Sequence, residues 1–242
     1  MRIRVKPCKR SSANLRTDIF PTSFAVDELQ VYTQAEPLSA ALNMAVDEAL
    51  LDITDSPILR FYGWRRPSLS FGYFNRFSDV ADEAAHREIV RRWTGGGIVF
   101  HGDDLTYSLI LPRAHIAAAQ SSRAIYSHVH RAIQRALSAV DDVALAAADA
   151  PRISDACFAN AVVADVLVSG RKIAGAAQRR TRAGLLHQGS IQYGELPANF
   201  RDVFAGELCG RFRIGAPPDT LLDRAATIAA EKYATAAWLH RR

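Results

Sequence analysis

The hydrophobic residues of this chain change period several times along its length, and that alternation limits the fold more than any other feature. In LSAALNMAVDEALLDI, the residues Leu38, Leu42, Ala45, Val46, Ala49, Leu50 and Ile53 recur at helical spacing, which predicts an amphipathic helix. The following ILRFYGWRRPSLSFGYF is aromatic, alternating and broken by Gly63, Pro67 and Gly72, which predicts two short strands joined by a turn. A short helix is expected around Val80 to Ile89, then strands IVRRW and IVFHG on either side of Thr94, Gly95, Gly96 and Gly97, with LTYSLILP as a third strand. Ile125, Val129, Ile133, Leu137 and Val140 return to the helical period and predict a second long helix over 121–140. Residues 141–161 are rich in Ala and Asp and read as irregular. ADVLVSGRKIAGAAQRRTRAGLLHQGSIQY predicts three strands with turns at Ser169-Gly170 and near Ala183-Gly184. Short helices close the chain from Asp202, the last around Leu221 to Leu239. The expected class is α+β, with mixed, largely antiparallel sheets covered by helices.

A chain of 242 residues with no repeat or linker in its body is expected to form a single domain over 26–242, behind a disordered basic tail at 1–25. Residues 1–17 carry six basic and no acidic side chains, more than the whole formal charge of +5, so the body is near neutral. A near-neutral body argues against a nucleic-acid partner, which needs a basic face to displace counterions. No apolar run reaches the roughly 18 residues of a membrane span, and MRIRVKPCKRSSANLR lacks the apolar centre of a secretory signal. A cytoplasmic protein with no membrane partner is expected, although an Arg-rich, acid-free start is also the composition of a transit peptide. Cys8, Cys157 and Cys209 are odd in number and widely spaced, which fits reduced thiols rather than a disulfide framework or a metal site.

Three features suggest chemistry. Gly95, Gly96 and Gly97, framed by Arg91, Arg92 and Thr94 before and His101 after, make a side-chain-free loop beside basic and titratable groups, either a ligand loop or a hairpin turn. The chain uses 26 arginines and four lysines, at 6, 9, 172 and 232, so Lys172 directly after Arg171 marks a place where an amine rather than a guanidinium is wanted, or a lysine kept on a solvated strand. Ile173, Ala174, Gly175, Ala176 and Ala177 are small for a strand and would leave a slot for an extended acyl chain, or for a close helix contact. His101 and His187 fall in strands beside glycine, whereas His128 and His130 lie on a helix and are expected to be solvated. Metal-hydrolase, P-loop, dinucleotide and nucleophile-elbow motifs are all missing.

NMAVDEALL from Asn43, ILRFYGWRRPSLSFGYF from Ile58, RRWTGGGIVFHGDDLTYSLILP from Arg91, and GRKIAGAAQRR with LLHQGSI between Gly170 and Ile191 together resemble the lipoate-protein ligase, octanoyltransferase and biotin-ligase superfamily, on its lipoyl side. The resemblance runs from about Leu38 to Tyr193 and implies the biotin/lipoyl ligase catalytic-domain fold. In that family the Arg-Arg-x-Thr-Gly-Gly-Gly loop lines the acyl site and the lysine of the K-I-x-G strand contacts the acyl carbonyl. Those roles fall on Arg92, Gly95, Gly96, Gly97, His101 and Lys172, and Thr94, Tyr107, Ser108, Gly175, His187 and Gly189 of the same motifs complete the expected substrate-binding set.

Cys157 lies in ACF, fifteen residues before Lys172, a placement similar to the acyl-accepting cysteine of the cysteine-dependent octanoyltransferases. The resemblance therefore implies transfer of an octanoyl or lipoyl group through a Cys157 thioester, with Lys172 as its catalytic partner and no cofactor or metal. The implied donor is octanoyl-acyl carrier protein or an octanoylated lipoyl-domain protein. The implied acceptor is a lysine of a lipoyl-domain protein such as glycine cleavage H protein or a 2-oxoacid dehydrogenase E2. The 49 residues after Tyr193 are expected to hold no second ligase domain. The third glycine of the loop is common among ATP-dependent ligases, so a lipoate-protein ligase using ATP and magnesium through lipoyl-AMP stays open. So does a non-catalytic homologue that binds lipoyl carriers.

Overall fold

Strong periodicity becomes regular structure where it was expected, and tertiary pairing adds the rest. The computed structural model describes residues 26–151, 158 and 160–241; the tail at 1–25, Cys8 and Cys157 lie outside the described residues. The strands are β1 (Leu29–Thr33), β2 (Ile58–Tyr62), β3 (Ser68–Phe71), β4 (Glu88–Arg91), β5 (Ile98–His101), β6 (Leu105–Pro112), β7 (Val143–Leu145), β8 (Val166–Val168), β9 (Arg171–Arg180), β10 (Gly184–Ile191) and β11 (Phe212–Gly215). The helices are α1 (Ala40–Ile53), α2 (Ser122–Leu137), α3 (Phe200–Leu208), α4 (Asp219–Ile228) and α5 (Ala236–Leu239). An eight-stranded sheet runs β11-β1-β2-β6-β10-β9-β8-β7 and a three-stranded sheet runs β4-β3-β5. Among the named strands, parallel pairing is found at β11/β1, β1/β2 and β3/β4. The class is α+β with largely antiparallel sheets, as expected.

Several expectations need correcting. The two strands read in 58–74 do not pair with each other: β2 joins the large sheet and β3 becomes the centre of the small one. β4 and β5 flank β3 instead of forming a hairpin, so the glycine loop between them has to step across a whole strand. The segment expected as a helix near Val80 is two 3-10 turns, Phe77–Asp79 and Ala81–Ala85. The irregular segment contains β7, and β1 and β11 were not foreseen; β11 is mostly exposed and shows no alternation that sequence could reveal.

Alternation along β6 supplies both faces of the large sheet, with Tyr107, Leu109 and Leu111 on one and Ile110 on the other. The first face packs on α2 and α3 through Ile125, Val129, Ile133 and Phe204. The second packs on α1 and α4 through Met44, Val46, Leu50 and Leu221. Ser39 and Ser121 cap the long helices, accepting from the amides of Leu42 (3.4 Å) and Ala124 (3.1 Å). Two members of the expected apolar stripes are instead open to solvent, Ile53 at 50% and Val140 at 54%.

The buried face of α1 is partly polar. Asp47 Oδ1 pairs with Arg60 Nη1 at 2.8 Å, and Asp47 Oδ2 accepts from Ser108 (2.5 Å) and Gln188 (2.7 Å). Arg60 also donates to the side chains of Asn43 (2.7 Å) and Gln34 (2.6 Å). Asn43 and Asp47 stand one helical turn apart, so this network ties α1 to β2, β6 and β10 directly under the site described next. Asp47→Ala leaves Arg60 charged and buried and is expected to cost about 3–5 kcal/mol. Urea unfolding checks this, and a loss under about 1 kcal/mol would mean that Arg60 finds its charge partner elsewhere.

Candidate active site

The loop after β4 is built around its own arginine. Arg92 donates through Nη2 to the carbonyls of Gly95 (3.0 Å) and Gly97 (2.8 Å) and through Nη1 to Ser70 Oγ on β3 (2.7 Å). Gly96 takes φ +84° and lies close enough that a Cβ there would stand 3.3 Å from the Ala177 methyl, while a Cβ on Gly72 would collide with the Gly96 carbonyl. Only glycine allows both the positive φ and these approaches. Thr94 anchors the loop to β10 by donating to Gln188 Oε1 at 2.7 Å. Arg91, also buried, donates instead to the carbonyls of Tyr73, Asn75, Trp238 and Leu239, and so ties the small sheet to the end of the chain.

His101, at the end of β5, is held from both sides. Its Nε2 meets Ser70 Oγ at 2.7 Å and its Nδ1 meets Asp104 Oδ2 at 2.8 Å. Arg92 can only donate to Ser70, so the serine proton points to Nε2 and the imidazole proton on Nδ1 goes to Asp104. Burial keeps His101 below its ordinary pKa. Burial acts to raise Asp104, but the hydrogen bonds from His101, Ser190 and Thr106 outweigh it and hold the carboxyl below its usual value. The ring of His101 stacks on Trp64, with centroids 4.0 Å apart and planes within 19°.

Lys172 is buried, not solvated. Its ammonium pairs with Asp165 Oδ2 at 2.8 Å, with the side chains 3% and 0% exposed, and lies 3.4 Å from the Asn160 carbonyl. Asp165 in turn accepts from the Tyr126 hydroxyl and from the Val162 amide (2.7 Å). Ala164, before it, adopts φ +70°, and its carbonyl accepts from His130 Nδ1 at 2.7 Å. The Lys172 side chain crosses β9 where Gly175 lacks a side chain, with Nζ 2.8 Å from the position a Cβ would take.

Between the glycine loop and the large sheet lies a narrow apolar cavity. Its floor is Gly175, Ala176 and Ala177 of β9 with Gln188, Gly189 and Ser190 of β10, and Met44, Trp64, Val99 and His101 close around it. A cavity of this form with a buried amine at one edge can hold an extended acyl chain and place its carbonyl at a cation.

Residues 39–209 match the model of the lipoyl protein ligase A/B catalytic domain. The chain belongs to this family. Among its relatives, the octanoyltransferase LipM of Oceanobacillus iheyensis is 38% identical over 175 residues, 68% of this chain and 64% of the relative. The octanoyltransferase LipM of Geobacillus kaustophilus is 40% identical over 169 residues, 62% of this chain and 60% of the relative. The matched segment thus spans a little under two thirds of these relatives. Among solved structures, lipoate-protein ligase A bound with ATP has the same fold, with TM-score 0.66 and 19% identity over 88% of this chain and 98% of the other. A T. acidophilum protein with bound lipoic acid does as well, with TM-score 0.69 and 19% identity over 88% and 99%.

Of the family residues expected at the site, Arg92, His101, Gly175 and Gly189 line the cavity, Gly96 closes over Ala177, and Lys172 stands at its edge. Thr94 meets the cavity through Gln188, Gly95 and Gly97 turn their carbonyls to Arg92, and Ser108 serves the Asp47 network beneath. Tyr107 and His187 are corrections. Strand alternation puts both on the opposite face, where the Tyr107 ring covers the back of Gly189 and its hydroxyl lies 3.3 Å from His187 Nε2. Sequence reasoning missed Trp64, Ser70, Asp104, Tyr126 and Asp165. Trp64, Ser70 and Asp104 were inside the motif segments, but their chain-distant partners are visible only in three dimensions.

His130 is a further correction, since it is fully buried against Tyr126 instead of solvated. Burial pushes its pKa down to about 4. Between the unfolded value near 6.5 and that folded value, the unfolded chain holds the extra proton, so stability falls as pH drops through this window by roughly 1.4 kcal/mol per unit. Unfolding free energies at pH 7 and pH 5 should therefore differ less in His130→Phe than in the wild type. An identical difference in both would remove His130 from the account.

Proposed function

We propose that this protein is an octanoyltransferase that carries an octanoyl or lipoyl group, as a Cys157 thioester, to a lysine of a lipoyl-domain protein. The observation that carries the reading is the buried Lys172–Asp165 pair at the edge of a narrow apolar cavity. The identity to octanoyltransferases supports the reaction class. Residues 26–242 act as one catalytic domain.

A free thiol with pKa near 8.5 is only about 3% thiolate at pH 7, so Cys157 needs a cation beside it, and Lys172 supplies one. The thiolate attacks the carbonyl of the donor thioester. The carbon–sulfur bond to the carrier breaks, and the departing carrier thiolate takes a proton from the Lys172 ammonium. The acceptor lysine amine then attacks the acyl-cysteine, Cys157 leaves as thiolate, and the amine proton returns to Lys172. Lys172 and backbone amides of the loop at Gly95–Gly97 stabilise the tetrahedral intermediates. Arg92, through its bonds to Gly95, Gly97 and Ser70, holds that loop over the chain. Thioester to amide is downhill, so the route consumes no ATP and needs no metal. The donor is octanoyl-acyl carrier protein or an octanoylated lipoyl-domain protein, and the acceptor is an H-protein or E2 lipoyl domain. Among the described residues no helix is long and apolar enough to cross a membrane. The need for a free thiol suits the reducing cytoplasm.

Intact-protein mass after mixing with octanoyl-acyl carrier protein, without ATP, tests the reading. A single octanoyl adduct that passes to a lipoyl domain is expected. Lipoyl-domain modification that requires ATP, magnesium and free lipoate would make the protein a ligase, and binding of a lipoyl domain with no turnover under either condition would make it a carrier-binding homologue.

A further inference from the structure

We infer that Tyr126 is a positioning residue for transfer, holding Asp165, and through it the Lys172 ammonium, in register with the cavity floor. The inference rests on the acyl-transfer reading and adds a residue that sets where its amine stands. A carboxylate that grips an amine through one oxygen can still swing about its own side-chain bond, whose torsion is soft. Asp165 is held at both oxygens. Its Oδ2 meets Lys172 Nζ at 2.8 Å and accepts from the Val162 amide at 2.7 Å, while its Oδ1 accepts from the Tyr126 hydroxyl. The same hydroxyl accepts from the Ala176 amide at 3.3 Å. Pairing of β8 with β9 stops at Ala174, and beyond it the phenol serves that edge of β9 as a hydrogen-bond acceptor. Ala176 lines the acyl cavity and lies on the same strand as Lys172. The path from Lys172 through Asp165, Tyr126 and Ala176 therefore closes on the strand it starts from, and the amine is tied to the floor that carries the acyl chain.

The surroundings keep this hold in one state. The Tyr126 ring lies against His130, with centroids 4.1 Å apart, and 5.8 Å from His187. Burial, with the charge of Asp165 beside it, pushes the phenol pKa well up, so the hydroxyl stays a donor across the working pH range. His130 Nδ1 lies 4.0 Å from Asp165 Oδ1, but burial keeps both imidazoles below their ordinary values, and neither competes with Lys172 as a cation at neutral pH. Phenylalanine at this position would keep the ring against His130 and remove only the hydroxyl.

Tyr126→Phe is expected to lower kcat for octanoyl transfer about 10–100-fold while KM for the donor changes less than about twofold, since a misplaced reacting group costs rate and not binding. A residue that acts through Lys172 also loses its effect when that lysine is replaced. Added to Lys172→Arg, Tyr126→Phe should lower kcat further by less than about threefold, whereas a residue that only packs would lower it by the same factor in both backgrounds. A third readout needs no transfer. The chain has only four lysines, so in NMR spectra of nitrogen-labelled protein the Lys172 ammonium is identified as the resonance missing from Lys172→Arg. It should be sharp and slow to exchange with water in the wild type, and broadened beyond detection in Tyr126→Phe. That loss of signal, in a protein whose wild type transfers nothing, would sink the transfer reading and keep the hold of Tyr126 on Lys172. An unchanged ammonium resonance in Tyr126→Phe, or equal kcat losses in both backgrounds, would overturn the positioning role.

Discussion

Cys157→Ala is expected to form no octanoyl adduct and to lose at least about four orders of magnitude in transfer, since removing a nucleophile eliminates the covalent route and not merely one contact. The remaining protein still has the cavity and Lys172, so it should bind an octanoyl chain as before. Cys157→Ser should fall nearly as far, because a hydroxyl is a much weaker nucleophile than a thiolate at neutral pH. The test is adduct mass together with transfer to a lipoyl domain. Transfer by Cys157→Ala at the wild-type rate without ATP would sink the covalent mechanism, and ATP-dependent modification by the same variant would establish a ligase.

Lys172→Arg is expected to lose about 10²–10³-fold in kcat with little change in KM for the octanoyl donor, although the charge is kept. Lys172 reaches Asp165 by crossing β9 at Gly175, where its Nζ comes within 2.8 Å of the position of a missing Cβ. A planar guanidinium is wider than this passage, and with a pKa above about 12 it can neither give up nor take back the proton that each half-reaction moves. Arginine is the informative replacement because it leaves Asp165 a cation. Lys172→Met would bury that carboxylate unpaired, at about 3–5 kcal/mol, and confuse folding with catalysis. Full turnover by Lys172→Arg would reduce the lysine to a structural ion-pair partner.

What the sequence by itself determined follows from periodicity and composition. The repeat of Ile125, Val129, Ile133 and Leu137 specified α2, and the alternation in LTYSLILP and LLHQGSI specified β6 and β10. One of only four lysines, set directly after an arginine, and the run of small residues after it marked the edge and floor of the cavity. Those signals are local, because a period reports which residues share a face and a small side chain leaves space wherever it lies. Only the tertiary structure decided what stands opposite each face. Asp165 becomes the partner of Lys172 through the backbone turn at Ala164 and the register of β8 on β9. Trp64 reaches the cavity because β2 pairs with β6 and brings the indole to Thr106, 42 residues away. Tyr107 and His187 leave the site because pairing assigns their parity to the α2 side of the sheet, and β1 and β11 form because β2 offers β1 a parallel edge and β1 offers one to β11. Hydrogen-bond pairing and burial between distant segments leave no periodic trace along the chain.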